Sequence, residues 1–103
     1  MSKAELETQI AAARAYEKVF VPALVGQWTS HVLNLAQVKP GDHVLDVACG
    51  TGVLARDAAS RVGAKGFVAG VDPNAGMLAV ANEVAPAIEW REATAEAVPY
   101  PDQ

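Results

Sequence analysis

An apolar run that carries one carboxylate and ends in two glycines leaves this chain few possible folds. The run is Val44 to Gly52, VLDVACGTG, and its composition predicts a buried strand that turns sharply into a helix. A second apolar run, Gly66 to Val71, leads to Asp72, which stands 20 residues after Gly52. Strand, glycine turn, helix and strand in this order require parallel pairing, with a ligand site beyond the carboxyl ends of the strands.

Two helices are predicted before the first strand. Ser2 and Glu5 have the spacing of a capping box, which marks the start of a helix. Pro22 is predicted to end this helix, because proline cannot continue the hydrogen-bond pattern. A second apolar pattern of helical spacing then continues to Leu35.

The rest of the pattern completes a Rossmann-like α/β domain. The elements predicted after residue 42 are the strand His43 to Ala48, the helix Val53 to Val62 ended by Gly63, the strand Gly66 to Val71, a helix capped by Asn74 that runs towards Pro86, and the strand Ala87 to Arg91. This order favours a three-layer α/β/α fold with a parallel sheet of about three strands. We expect a single cofactor-binding domain over residues 1–103, with N-terminal helices in 1–38 and a βαβαβ core in 43–103.

The net charge and the cysteine content limit which binding partners and which cellular compartment are expected. The formal net charge is -4 and the 8 basic residues are dispersed, so no surface for nucleic acid or anionic lipid is expected. No apolar run approaches the roughly 20 residues that a membrane helix needs, so stable membrane insertion is not expected. Cys49 is the only cysteine, which excludes a disulfide within the chain and favours a cytoplasmic protein.

The residues around the glycine turn favour one class of cofactor over another. Gly50 to Ala55 fits the Gly-x-Gly-x-x-Gly/Ala pattern of dinucleotide-binding proteins, so NAD, NADP and FAD are alternatives. The carboxylate of Asp46 would repel the pyrophosphate that a dinucleotide places against this turn. S-adenosylmethionine has no phosphate; its sulfonium and ammonium cations suit Asp46, and its ribose hydroxyls suit Asp72. The charges therefore favour S-adenosylmethionine.

Val44 to Gly52, together with Val71 to Pro73, resembles the class I S-adenosylmethionine-dependent methyltransferases, especially the ubiquinone/menaquinone biosynthesis branch. The resemblance implies an enzyme that transfers the sulfonium methyl group to an acceptor, which we expect to be a small molecule. It also implies that Met77 packs on the adenine, that Thr94 replaces an Asp that commonly binds the adenine amino group, and that the Ala95 N–H meets a ring nitrogen. The cofactor-binding residues expected from the turn and the resemblance together are Tyr16, Asp46, Ala48, Gly50, Thr51, Gly52, Asp72, Pro73, Met77, Thr94 and Ala95.

The same resemblance implies that the chain is the cofactor-binding half of a larger fold, truncated relative to the family's strand order 3-2-1-4-5-7-6. The first strand, His43 to Ala48, is then expected to have an exposed edge, because the fourth strand normally lies beside the first. An exposed apolar edge recruits another strand, so we expect either a homo-oligomer or homodimer through this edge, or stabilisation of the edge by a missing partner segment. No catalytic residue is assigned, because the acceptor pocket belongs to the later strands, and no metal is expected.

Several of these residues also have a simpler structural interpretation. Asp46 is open to a role as an acceptor for backbone N–H groups, and Asp72 to a role at a helix start. Tyr16 either covers the cofactor or packs in the core. Cys49 is interpreted as a packed turn residue and not as a nucleophile, because no His or acid lies at a suitable spacing. The residues interpreted as packing residues are Trp28 and Trp90.

Two other functions stay open at this point. One is an NAD(P)-dependent oxidoreductase on the same fold, which a preference for NAD over S-adenosylhomocysteine in calorimetry would favour. The other is a non-catalytic module, either truncated or associated with a separate chain, which self-associates. Methyl transfer by this chain alone would exclude that module.

Overall fold

Four α-helices, a π-helical segment and three strands make up the described part of the chain. The computed structural model describes residues 1–94 and Glu96, with residues 23–27 described by their backbone alone. In chain order the elements are α1 (Lys3–Ala15), the π-helical segment (Tyr16–Val25), α2 (Gly26–Leu35), β1 (His43–Val47), α3 (Val53–Val62), β2 (Phe67–Asp72), α4 (Ala75–Val84) and β3 (Glu89–Glu92).

The three strands form a parallel sheet in the order β1-β2-β3. Val44 pairs with Val68, and Ala69 pairs with Glu89, so β2 lies between the other two strands. The central strand is buried from residue 68 to residue 72, whereas β1 alternates between exposed and half-buried side chains. This arrangement confirms the Rossmann-like α/β fold with a parallel sheet and the strand order 3-2-1.

Local signals in the sequence set the ends of three helices, as predicted. The Oγ of Ser2 accepts a hydrogen bond from the Glu5 N–H at 3.0 Å, which satisfies a free N–H at the start of α1. At the start of α4, Asn74 Oδ1 accepts from the Met77 N–H at 3.0 Å. Gly63 follows α3 with a φ of 69°, a conformation that glycine adopts without strain.

The prediction that Pro22 ends the first helix is wrong. α1 continues into the π-helical segment, which contains Pro22, and this segment continues into α2. In an α-helix the proline ring would clash with the carbonyl group four residues earlier. A π-helical turn bonds to the fifth residue instead, and the wider spacing accommodates the ring. The N-terminal region is therefore one continuous helical run.

The first two strands differ from their predicted bounds by one residue. β1 ends at Val47 and does not include Ala48, because Ala48 has a φ of 60°, which takes the backbone out of the sheet. β2 begins at Phe67 instead of Gly66 and extends to Asp72, because Asp72 pairs with Glu92 in the register of the sheet. The structure therefore places Asp72 inside the last pair of the ladder.

The third strand begins later than predicted. β3 is Glu89–Glu92, whereas the sequence predicts Ala87 to Arg91. A turn in which the Ile88 N–H donates to the Ala85 carbonyl oxygen at 3.2 Å occupies the intervening residues. The apolar residues before Glu89 are used to turn the chain from α4 into the sheet.

The main hydrophobic core lies between α3 and the sheet. Its buried members are Leu33, Ala55, Ala58, Val62 and Val68. Helix α4 packs against β2, β3 and α1. The contact with α1 is close: a β-carbon at Gly76 would lie 2.5 Å from the Gln9 β-carbon. Only glycine fits at this crossing of the two helices.

The two tryptophans differ in their surroundings. Trp90 packs against the core at α3, as interpreted from the sequence. Trp28 does not, because its side chain is 63% exposed on α2.

An apolar surface also lies on β1, where Leu45 and Val47 are 39% and 41% exposed, and within the described residues β1 pairs with β2 alone. Among the described helices, none combines the length and the hydropathy required to cross a bilayer.

Candidate functional site

The glycine turn leaves β1 through three residues with positive φ. Ala48, Gly50 and Gly52 have φ values of 60°, 59° and 92°. The turn is closed by the Gly52 N–H, which donates to the Cys49 carbonyl oxygen at 3.0 Å, and is attached to β2 by the Cys49 N–H, which donates to Val71 at 2.9 Å. A β-carbon at Gly50 would meet no atom within 4 Å, so the backbone there is open to a ligand.

Asp72 joins this turn to the start of α4. Its Oδ2 accepts a hydrogen bond from the Gly50 N–H at 2.9 Å, and its Oδ1 accepts from the Asn74 N–H at 2.8 Å. The residue is only 8% exposed. Hydrogen bonds from backbone N–H groups to a carboxylate are among the strong ones in proteins. Asp72 therefore has the structural role that the sequence left open, and it lies directly beside the turn.

Asp46 has no such set of donors. Its Oδ2 is buried and has no hydrogen-bond partner within the part of the chain that the structure describes. Burial, and to a smaller extent the carboxylate of Asp72, raises the pKa of Asp46 from 3.8 to about 6. At neutral pH the group is thus charged and half-buried, with an Oδ2 that is buried and unpaired, which is a costly state unless a cation or a donor reaches it.

Thr51 is the second polar residue of the turn without a partner. Its side chain is 1% exposed, and its Oγ1 has no hydrogen-bond partner among the described residues. A buried hydroxyl group normally has at least one hydrogen bond. Two unsatisfied polar groups therefore lie at the glycine turn, one on Asp46 in the strand before it and one on Thr51 within it.

Three other expected residues follow β2, lie on α4 or follow β3. Pro73 follows Asp72 and is exposed, and Met77 is half-buried in the first turn of α4. Thr94 is exposed and follows Ala93, whose N–H donates to the Asp72 carbonyl oxygen at 3.2 Å. Ala95 lies outside the described residues.

Tyr16 lies in the π-helical segment and has an aromatic partner there. The ring stacks with Phe20 in the same π-helical segment, with a distance of 6.2 Å between ring centroids. The next residue, Glu17, forms an ion pair with Arg56 of α3 at 2.8 Å, and each of these two side chains is 22% exposed. This pair, which the sequence does not indicate, attaches the π-helical segment to the helix that follows the glycine turn.

Trp90 is a further neighbour of the turn that the sequence analysis treats only as a packing residue. Its ring occupies the space that a β-carbon at Gly52 or at Gly70 would need. The available signal was Gly70, since a glycine inside an apolar strand marks a close approach by another group.

Cys49 is a packed residue of the turn. It is buried, and burial followed by the charges of Asp46 and Asp72 raises the pKa of its thiol to about 12. A thiol with so high a pKa is not a nucleophile at neutral pH. Within residues 1–94 and Glu96, no group of three or more His, Cys, Asp or Glu side chains is arranged to hold a metal ion.

The chain is similar to methyltransferases in sequence. Residues 44–103 match the family described as a methyltransferase domain. A ubiquinone/menaquinone biosynthesis C-methyltransferase UbiE from Xanthomonas oryzae pv. oryzae (strain MAFF 311018) is 43% identical over 82 residues, or 74% of this chain and 32% of that protein. The protein of the same name from Stenotrophomonas maltophilia (strain R551-3) is 42% identical over 73% of this chain and 32% of its own length. The chain thus spans about a third of the length of these curated relatives.

Solved structures of methyltransferases share the fold. A SAM-dependent methyltransferase from Aquifex aeolicus has a TM-score of 0.65 and 29% identity, over 72% of this chain and 42% of that chain. A putative S-adenosyl-L-methionine-dependent methyltransferase from Methanococcus maripaludis has a TM-score of 0.71 over 99% of this chain and 48% of its own. At 15% identity, the second similarity concerns the fold alone.

Proposed function

The chain belongs to the class I S-adenosylmethionine-dependent methyltransferases, and from this premise we propose that its glycine turn holds the cofactor between Asp46 and Asp72. The observation that carries the proposal is the buried Oδ2 of Asp46, which has no partner in the described structure. S-adenosylmethionine has a sulfonium and an ammonium cation, and either one neutralises this carboxylate, directly or through water. The methyltransferase matches do not favour the oxidoreductase alternative.

Asp72 suits the ribose even though it already binds the backbone. Each carboxylate oxygen has about two acceptor positions, and each oxygen of Asp72 uses one of them for a backbone N–H, from Gly50 or from Asn74. The remaining positions are available to the two ribose hydroxyls. In this proposal Asp72 holds the turn and the ribose at the same time.

The remaining contacts are proposed around these two anchors. The Thr51 hydroxyl supplies a partner for a polar cofactor atom, because its own hydrogen-bonding capacity is unused. The turn residues Ala48, Gly50 and Gly52 offer backbone groups. The residues proposed to enclose the adenine and the rim of the site are Tyr16, Pro73, Met77, Thr94 and Ala95. Residues 1–103 then act as one cofactor-binding domain, with helices in 1–38 and the core in 43–103.

Bound S-adenosylmethionine supplies an electrophilic methyl group. The residues of this chain contribute binding and orientation, which is the main requirement of an in-line displacement. Asp46 matches the positive charge of the cofactor and Asp72 fixes its ribose. We assign no catalytic base to the chain.

The acceptor is proposed to be a small molecule. The names of the relatives specify carbon methylation in ubiquinone and menaquinone biosynthesis. An aromatic quinone precursor is the acceptor class that this similarity favours. Methyl transfer by the chain alone is the test that separates an enzyme from a non-catalytic module.

Calorimetry tests cofactor binding directly. S-adenosylhomocysteine is titrated into the chain, with NAD in a parallel titration. We expect binding of S-adenosylhomocysteine and no binding of NAD. Thr51→Val should weaken the first interaction, whereas Ser60→Ala, which removes an exposed hydroxyl from α3, serves as the matched control. Tighter binding of NAD would reject the proposal.

We further propose that the chain self-associates through the edge of β1. The support is the single described partner of this strand and the exposure of Leu45 and Val47. A strand edge with apolar side chains beside it readily pairs with another strand. Gel filtration with light scattering should give a dimer, and Leu45→Lys should shift it to a monomer. A wild-type monomer at micromolar concentration would contradict this assignment.

The compartment and the excluded partners are likewise proposals. A net charge of -4 disfavours a nucleic-acid partner, since such partners require a basic surface. The single, buried and free thiol of Cys49 is compatible with a reducing cytoplasm. Retention on immobilised DNA at physiological salt, or a secreted mature form, would argue against these assignments.

A further inference from the structure

Asp46, Gly70 and Trp90 lie side by side in one row across the sheet. Asp46 pairs with Gly70 in the register of β1 and β2, and Gly70 pairs with Trp90 in the register of β2 and β3. Residues paired in this way place their side chains on the same face of the sheet. Because the middle residue has no side chain, the face is open between the carboxylate and the indole.

The indole of Trp90 fills this opening. A β-carbon at Gly70 would lie 2.5 Å from Cζ3 and 2.6 Å from Cε3 of the ring, and 3.0 Å from the Sγ of Cys49. A β-carbon at Gly52 would overlap Cη2 and lie 2.9 Å from Cζ3 of the same ring. One aromatic ring therefore packs against the central strand and against the last residue of the glycine turn.

The ring is fixed in this position by contacts on its other side. The Nε1–H of Trp90 donates a hydrogen bond to the Ala85 carbonyl oxygen at 2.9 Å, at the end of α4. The side chain also packs against the core between α3 and the sheet. A ring that is held by both a hydrogen bond and apolar packing has one preferred orientation.

We propose that Trp90 is a positioning residue of the cofactor site, whose indole supports the glycine turn and shields Asp46 from water. The role in binding rests on the proposed function, whereas the shielding of Asp46 does not. Burial is the larger cause of the raised pKa of Asp46, and an aromatic ring in the same row supplies such burial. The charged group that acts on this carboxylate is Asp72 of β2, and both carboxylates act on the Cys49 thiol of the turn.

Trp90→Phe tests the proposal, because phenylalanine lacks both the Nε1–H and the outer edge of the indole. Trp28→Phe is the matched control, since Trp28 is exposed on α2. The first measurement is the titration of the Asp46 carboxyl carbon by NMR without ligand. The second is the calorimetric Kd for S-adenosylhomocysteine.

In Trp90→Phe we expect the Asp46 titration midpoint to fall by about one pH unit and the Kd to rise about tenfold. Both quantities should be unchanged in Trp28→Phe. An unchanged Asp46 midpoint in folded Trp90→Phe would overturn the proposal. If the wild-type chain does not bind S-adenosylhomocysteine, the proposed function fails, but the ligand-free titration still decides the role of Trp90.

A third measurement, of tryptophan fluorescence, covers the case in which Trp90→Phe does not fold. In Trp28→Phe, Trp90 is the only remaining tryptophan. Its fluorescence should follow a titration near pH 6, where Asp46 changes charge, and this titration should disappear when Asp46→Asn is added. Emission that stays constant through this range would show that the ring is remote from Asp46, and would overturn the proposal.

Discussion

Asp46 and Asp72 lie at the carboxyl ends of neighbouring strands of one sheet, in opposite environments. Asp72 accepts hydrogen bonds from the N–H groups of Gly50 and Asn74, at 2.9 Å and 2.8 Å. Asp46 retains a buried Oδ2 without a partner, and its pKa is raised to about 6. Identical side chains thus serve two purposes: one organises the backbone of the site, and the other keeps an unpaired charge.

The contrast separates what stabilises the fold from what recognises the ligand. A carboxylate with backbone donors lowers the free energy of the folded chain. A buried carboxylate without a partner raises it, and this cost is recovered only when a cation binds. Stability and affinity should therefore respond in opposite directions at Asp46 and in the same direction at Asp72.

The largest effect is expected at Asp72. Asp72→Ala removes the acceptor for two backbone N–H groups, so the free energy of unfolding should fall by about 2–4 kcal/mol. Binding of S-adenosylhomocysteine should be lost together with the geometry of the turn. Urea unfolding followed by circular dichroism measures the first effect, and calorimetry measures the second.

Asp57→Ala is the control for this change, since Asp57 is a half-buried carboxylate of α3. It should alter stability by less than about 0.5 kcal/mol. A loss in Asp72→Ala no larger than in this control would remove the distinction between the two strand ends.

The opposite sign is expected for Asp46→Asn. At pH 7 this change removes a half-buried unpaired charge, so the ligand-free chain should gain about 1–2 kcal/mol of stability, less than the full pKa shift implies because solvent partly screens the group. Urea unfolding at pH 7, with Asp57→Asn as the reference, measures the gain. A loss of stability would mean that Asp46 has donors in the fold after all.

The pH dependence follows from the direction of the same shift. The pKa of Asp46 is raised by folding from 3.8 to about 6, so its contribution is favourable below pH 3.8 and is lost as the pH rises through 6. The pKa values of Asp42 and Glu83 are lowered by their partners, so these groups act in the opposite direction. The difference between wild type and Asp46→Asn isolates the one group.

This difference should be close to its full value at pH 7 and should disappear near pH 4, within about 0.5 kcal/mol. Unfolding curves for both proteins across this range provide the measurement. A constant difference at every pH would mean that Asp46 is not the group that titrates.

The smallest effect is expected at Thr51. Thr51→Val keeps the shape and removes a buried hydroxyl without a partner, so stability should stay the same or rise by up to about 1 kcal/mol. If the hydroxyl serves the cofactor, the Kd for S-adenosylhomocysteine should rise about threefold to tenfold. A clear loss of stability would indicate a structural hydrogen bond instead.

The fold was predictable where the signal was local. The run from Val44 to Gly52 and the caps at Ser2 and Asn74 act through neighbouring residues, so the order of helices and strands could be inferred directly. Pro22 was misjudged because a helix has a second way to accommodate proline, and the sequence does not indicate which one is used.

The sequence selects candidate residues for the site but does not indicate how they are connected. Asp46, Gly50 and Asp72 could be selected by residue type and spacing. The positive φ of Ala48 could not, because alanine gives no local signal for that conformation. The two N–H donors of Asp72 depend on how the turn and α4 meet in space, which is a property of the tertiary structure.

The central claim is that Asp46 keeps an unpaired charge for the cation of the cofactor. The direct measurement is calorimetry of S-adenosylmethionine at pH 7 with wild type, Asp46→Asn and Asp57→Asn. We predict that the Kd rises at least about tenfold in Asp46→Asn, although this variant is the more stable protein, and that it is unchanged in Asp57→Asn. Equal affinity in wild type and Asp46→Asn would contradict the claim.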